Sequence, residues 1–156
     1  MKIREWIPTI WLITFWIIVI LFFVQTVKAA DPNYPDIMAV EYVRNYDADT
    51  VTVNIHTWPK IIGHKISVRV NGIDTPEIRG GTEYSKNLAK QAKLFVELIL
   101  KCAQNITLKN PQRGKYFRIV ADIEIDGNDL GQVLIKLGYA KAYDGKSARP
   151  DWSTPE

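Results

Sequence analysis

The sequence is poor in the residues that staple or metallate small domains. Cys102 is the only cysteine among 156 residues, so no disulfide can form within the chain. It falls in an apolar helical run and reads as a buried thiol. The two histidines, His56 and His64, have no Cys or His partner at zinc-ligand spacing, which excludes a zinc centre and leaves both as structural residues. An excess of one charge is also missing. Beyond residue 30 there are 17 Lys and Arg against 16 Asp and Glu. Overall charge therefore cannot draw a polyanion, and any such attraction must come from local arrangement. No internal repeat or low-complexity tract is present.

One long hydrophobic run is present. Trp6 to Thr26 carries no charge; Lys2 and Arg4 precede it and Lys28-Ala29-Ala30 follows. Residues 1–30 read as a secretory signal peptide or as a transmembrane anchor. A signal core runs about 7–15 residues and a spanning helix needs about 20, and both readings stay open. Both export the remainder, because the positive charges stay inside. The product is secreted or periplasmic if the segment is cleaved. Otherwise it is membrane-anchored through residues 6–27 with its domain outside the cytoplasm. Residues 31–37, with Pro32 and Pro35, read as a linker, 38–152 as one domain and 153–156 as a tail.

Within that domain, Ile37 to Asn45 is apolar with some alternation, and Thr50 to Thr57 alternates with period two and is rich in β-branched residues. Trp58-Pro59-Lys60 opens a loop. In His64 to Asn71, Ile66, Val68 and Val70 fall on one face and Lys65, Ser67 and Arg69 on the other, so Arg69 should leave the core. Glu83 to Ala103 has helical spacing, with Thr82 as N-cap. Asn105 to Lys109 reads as a short strand, Asn110 to Gly114 as a turn and Tyr116 to Asp126 as a strand. Leu130 to Leu137 reads as a helix stopped by Gly138. Three strands, a helix, two strands and a helix fit several α+β folds, a five-stranded Greek-key barrel among them.

Four strings follow one another in fixed order: Asp47-Ala48-Asp49-Thr50, Ser67-Val68-Arg69-Val70, Ile73-Asp74-Thr75-Pro76-Glu77 and Lys115-Tyr116-Phe117-Arg118. They supply two hard carboxylates in Asp49 and Asp74, a third in Glu77, and two separated arginines in Arg69 and Arg118. Carboxylates can hold a divalent cation and direct a water, and arginines can neutralise phosphate oxygens. The set suits hydrolysis of a phosphodiester.

The order and wording of these strings resemble the thermonucleases, the staphylococcal-nuclease-like family, from about Val40 to Trp152. The resemblance implies an α+β, mostly β, five-stranded OB-fold barrel with two or three helices, here behind an N-terminal hydrophobic helix. It implies a calcium-dependent, sequence-nonspecific endonuclease acting on DNA and RNA, with single-stranded or flexible regions preferred, and a monomer. Asp49, Asp74 and the Thr75 carbonyl would hold one Ca²⁺ or another divalent cation. Glu77 would direct the attacking water, and Arg69 and Arg118 would bind the phosphate. Lys115 and Tyr116 match positions that contact a terminal phosphate, and Tyr143 is a candidate stacking aromatic. In the family the bond to the 5′ oxygen breaks, leaving 3′-phosphate ends. Two departures stand out. Ala48 replaces a common glycine and would be strained if that position needs positive φ, and Phe117 replaces another. The rival reading is a non-catalytic, membrane-tethered OB barrel that binds nucleic acid or protein.

Overall fold

The computed structural model describes residues 34–114, 116 and 118–154. The expected hydrophobic N-terminal segment, residues 1–30, lies outside the described residues. Among those described, no helix is long and apolar enough to cross a membrane.

Strict alternation builds the sheet. Strand β1 (Glu41–Asn45) pairs antiparallel with β2 (Thr50–Asn54), and β2 pairs antiparallel with β3 (Ile66–Val70). Val51, Val53, Val68 and Val70 point inward and are fully buried or nearly so, while Thr50, Thr52, Ser67 and Arg69 alternate outward. Between β2 and β3 the chain makes one helical turn, α1 (Lys60–Gly63), where a loop was expected. Strand β4 (Ile73–Asp74) follows β3 after a tight turn in which Gly72 takes φ +74°.

Helix α2 (Glu83–Cys102) starts where expected. The Thr82 hydroxyl accepts from the Ser85 amide at 3.2 Å, and Glu83 sits at the positive end of the helix dipole. Ala89, Ala92, Val96 and Leu100 form the buried stripe. Cys102, two residues past Leu100, is turned well away from that stripe and is exposed. The expected buried thiol is thereby corrected.

Strand β5 (Ile106–Arg113) is longer than expected. The segment Asn110–Gly114, read as a turn, continues the strand through a bulge between Lys109 and Gln112, with Asn110 at φ +47°. The bulge leaves Pro111 unpaired, so its missing N–H costs no ladder bond. Strand β6 (Ile119–Ile125) pairs antiparallel with β5 and parallel with β3, and buries Ile119, Ala121, Ile123 and Ile125. Strand β7 (Asn128–Asp129) extends β6 through an Asp126-Gly127 turn with both φ positive. Helix α3 (Leu130–Lys136) is capped by the Asp129 carboxylate, which accepts from the Gln132 amide at 2.7 Å. Strand β8 (Lys141–Ala142) then pairs with β4.

The main sheet runs in the order β1-β2-β3-β6-β5 and curls around one core. Its ends are joined by the residues leading into β1. Ile37 and Leu108 exchange backbone hydrogen bonds at 2.9 Å, and the Val40 amide donates to the Ile106 carbonyl at 3.1 Å. This is the expected OB barrel, an α+β fold of five principal strands and three helices, and the described residues all belong to one compact unit.

The central position of β6 yields a stability test. Ile123 is fully buried, so Ile123→Ala should lower the unfolding free energy by about 2–5 kcal/mol in urea titrations. Leu98→Ala, on the exposed side of α2, should stay within about 0.5 kcal/mol of the parent. In the same samples the folded protein's Cys102 should react with a thiol reagent at a rate close to that of the unfolded chain.

A carboxylate and arginine cluster at the strand ends

The turn between β1 and β2 is fixed from three sides. The buried Asn45 side chain donates to the Asp47 carbonyl at 2.9 Å and to the Lys93 carbonyl of α2 at 3.1 Å, and accepts from the Tyr42 hydroxyl. The Tyr46 amide donates to the Thr50 carbonyl at 3.1 Å, and the Val70 amide donates to the Asp49 carbonyl at 2.9 Å. Asp49 is thereby held against β3. Ala48 is part of the core at 2% exposure and is absent from the residues of positive φ, so the feared strain does not arise.

Register does the rest. Thr50 faces Arg69 across the β2–β3 ladder, so the Arg69 guanidinium meets the carboxylate one residue earlier. Its Nη2 lies 2.9 Å from Asp49 Oδ2 and 3.8 Å from Asp74 Oδ1. Asp49 Oδ1 accepts from the Thr50 hydroxyl at 2.9 Å. Asp74 ends β4 and is fully buried, as are Thr75 and Pro76 nearly so. Glu77 is the first residue of that loop to emerge, with 55% of its side chain exposed.

Two residues of the cluster were not expected. Arg149 donates from Nε and Nη2 to Asp74 Oδ1 at 3.0 and 2.7 Å, and from Nη1 to Glu77 Oε1 at 2.8 Å. The Trp152 indole donates to Asp74 Oδ2 at 3.0 Å. Both stand in a C-terminal stretch that read as polar and turn-forming. The only hint there was an Arg and a Trp together in an otherwise small, polar tail.

Charge in the cluster is unbalanced. Asp47, Asp49, Asp74 and Glu77 stand against Arg69 and Arg149. Burial pushes the Asp49 carboxyl up to about 7, and the neighbouring Asp47 charge adds to the rise; Arg69 and the Thr50 hydroxyl pull it back only in part. Asp47 Oδ1 is buried with no hydrogen-bond partner among the described residues. The Arg149 guanidinium is held more firmly protonated than usual by Glu77 and Asp74. An all-oxygen donor set with surplus negative charge and an unpartnered carboxylate oxygen fits a hard divalent cation. Among the described residues, no three His, Cys, Asp or Glu side chains are already gathered around one point.

The remaining expected residues lie around this cluster with less definition. Arg118 immediately precedes β6, where Val68 pairs with Ile119, so alternation puts it on the outward face that Arg69 shares. Its carbonyl accepts from the Gly114 amide at 2.7 Å. Lys115 and Phe117 lie outside the described residues. Tyr116 is 91% exposed with φ +56°. Tyr143 is half-buried, and its hydroxyl donates to the Ser147 carbonyl at 3.2 Å. His56 pairs with Glu41 at the surface. A groove of about 790 Å³ bordered by Met38, Trp58, Ile62 and Pro111 shares no lining residue with the cluster.

An OB barrel with carboxylates and arginines collected at its strand ends has the form of a small phosphodiester-handling domain. The family of staphylococcal nuclease homologues matches residues 67–153, more than half of the sequence, and the chain belongs to that family. Asp49 lies before the matched stretch and joins the cluster through the β2–β3 register. No curated protein matches the chain.

The raised Asp49 carboxyl has a consequence for stability. Well below its ordinary value of 3.8 it is neutral in both folded and unfolded chains. Between that value and about 7 the unfolded chain is already ionised while the folded one keeps its proton, so the buried acid destabilises the fold progressively across this window and fully above it. Asp49→Asn should therefore stabilise the protein by roughly 2 kcal/mol at pH 8. The gain should shrink as pH falls and vanish near pH 4, as read by thermal melts across that range.

Proposed function

We propose that this protein is a divalent-cation-dependent, sequence-nonspecific nuclease that hydrolyses phosphodiester bonds in DNA and RNA. Membership of the nuclease family supports the class. The observation that carries the reading is the buried Asp49–Arg69–Asp74 array with Glu77 at its open edge. Asp49, Asp74 and the Thr75 carbonyl would hold the cation, with Ca²⁺ the family's usual ion. The cation would polarise the phosphate and acidify a bound water.

The chain's own residues supply the rest. Glu77, half in solvent, orients the attacking water on one side of the phosphorus and takes up its proton. The water oxygen forms its bond to phosphorus as the bond to the 5′ oxygen breaks; the departing oxygen takes a proton from solvent, leaving a 3′-phosphate and a 5′-hydroxyl. Arg69 is anchored by Asp49, yet 29% of its side chain is exposed, so N–H groups remain for phosphate oxygens. Arg118 would approach from the same outward face. The Arg69 guanidinium, fixed in advance by Asp49, favours the crowded, more negative transition state over the ground state. Tyr143, Lys115 and Tyr116 would line the path of the strand. The domain would act outside the cytoplasm as a monomer, free or held by residues 6–27.

The test is cleavage of labelled single-stranded DNA and RNA by the full chain with Ca²⁺. EDTA should stop the reaction. Glu77→Gln should slow it about 10²- to 10⁴-fold, and Arg69→Lys about 10²- to 10³-fold. A folded protein that binds the strands and cuts neither, with Ca²⁺, Mg²⁺ or Mn²⁺, would instead make it a binding module. The observation favouring that rival is the hold of Arg149 on Glu77 and Asp74.

A further inference from the structure

Arg149 sits where no nuclease chemistry calls for a guanidinium. Its three short bonds end on the acids that the proposed reaction needs free, Asp74 for the cation and Glu77 for the water. With Trp152 on Asp74 Oδ2, both oxygens of that carboxylate are engaged from one segment of chain.

The segment is built as a strap. It leaves β8, whose Lys141 faces Asp74 in the β4–β8 pair, so it begins beside the site. It reverses at Asp144, whose carboxylate accepts from the Lys146 and Ser147 amides and the Ser147 hydroxyl at 2.7–2.9 Å. Residues 144–149 are all exposed, and among the described residues no regular element follows β8. Apart from the carboxylates, it is tied to the body at both ends. The Tyr143 amide donates to the Gly72 carbonyl at 2.9 Å, Lys141 donates to the Asp151 carbonyl at 2.9 Å and lies over the Trp152 ring, and the Thr82 hydroxyl donates to the Ser153 carbonyl at 3.3 Å.

We infer that Arg149 competes with the divalent cation for Asp74 and Glu77, so that cation entry and release of the strap are one coupled step. A cation held by Asp74 would stand beside the guanidinium now bonded to it, and like charges so close, partly shielded from water, repel. The two occupants exclude each other. Cation binding must spend part of its free energy on displacing Arg149, which weakens the apparent affinity. The same displacement frees Glu77 Oε1. The Glu77 oxygen that Arg149 occupies is thus released when the cation is in place. The inference rests on the cation reading of the cluster.

The sign of one measurement separates competition from mere support. Mn²⁺ prefers the same oxygen ligands, and its free form is counted directly by electron paramagnetic resonance. Titration of the full chain should show one site from which Ca²⁺ displaces Mn²⁺. Arg149→Gln should bind Mn²⁺ about tenfold tighter or more, Arg149→Lys should stay near the parent, and Asp74→Asn should lose the site. Equal or weaker binding by a folded Arg149→Gln would overturn the inference and leave the cation reading intact. Absence of the site from the parent and from Arg149→Gln alike would overturn both. A second readout uses the unmodified chain. Saturating Ca²⁺ should speed tryptic cleavage after Lys146 as the strap lifts, and unchanged or increased protection there would count against displacement.

Discussion

Everything at this site depends on keeping carboxylates ionisable inside a barrel wall. Asp74 is fully buried and Asp49 nearly so, and a carboxylate in such a place needs bonded partners. Arg69 and Arg149 supply that support from distant parts of the chain, one within the sheet and one from the strap. Support remains incomplete, since Asp49 is still held near neutrality and an oxygen of Asp47 has no partner. The barrel tolerates this because its core is otherwise apolar and closed, from Val51 and Val53 through Val68 to Ile123. A fold selected for stability alone would have little use for four acids in that place.

The division of labour between the two arginines follows from their backbones. Arg69 is fixed by ladder hydrogen bonds on both sides, to β2 and to β6. Its position is therefore set before any ligand arrives, which is what an electrostatic catalyst requires. Arg149 hangs from an irregular segment held by side chains. No ladder bonds fix its backbone, which is what an occupant that must yield requires.

Legibility from sequence followed the range of the interactions. Period-two alternation located β2, β3 and β6, and the Thr82 cap located α2, because these signals are local. Order and wording of the four strings singled out Asp49, Arg69, Asp74 and Glu77 as one set, of which Asp49 and Asp74 were expected at strand ends. What failed was less local. Pro111 suggested a turn, but a bulge let β5 pass through it. Cys102 lay in an apolar run but beyond the buried stripe of its helix. Strands β4 and β8 are two residues each, too short for any periodicity, and their pairing is what brings the C-terminal segment to Asp74. Arg149 reaches an acid 75 positions earlier in the chain, a contact no local pattern encodes.

The seam at Ile37 and Val40 has a mechanical side. Together with Asp36, whose carboxylate accepts from the Asn110 amide and pairs with Lys109, those residues attach the incoming chain to β5. Tension entering from the N-terminal side is therefore carried first by the Asp36 contacts and a few backbone hydrogen bonds to Leu108 and Ile106. Their rupture would bare the edge of β5 and open the barrel along one line, while the β2–β3–β6 ladders that hold Asp49 and Arg69 stayed paired. The domain has a built-in point of first yield, placed away from its charged centre.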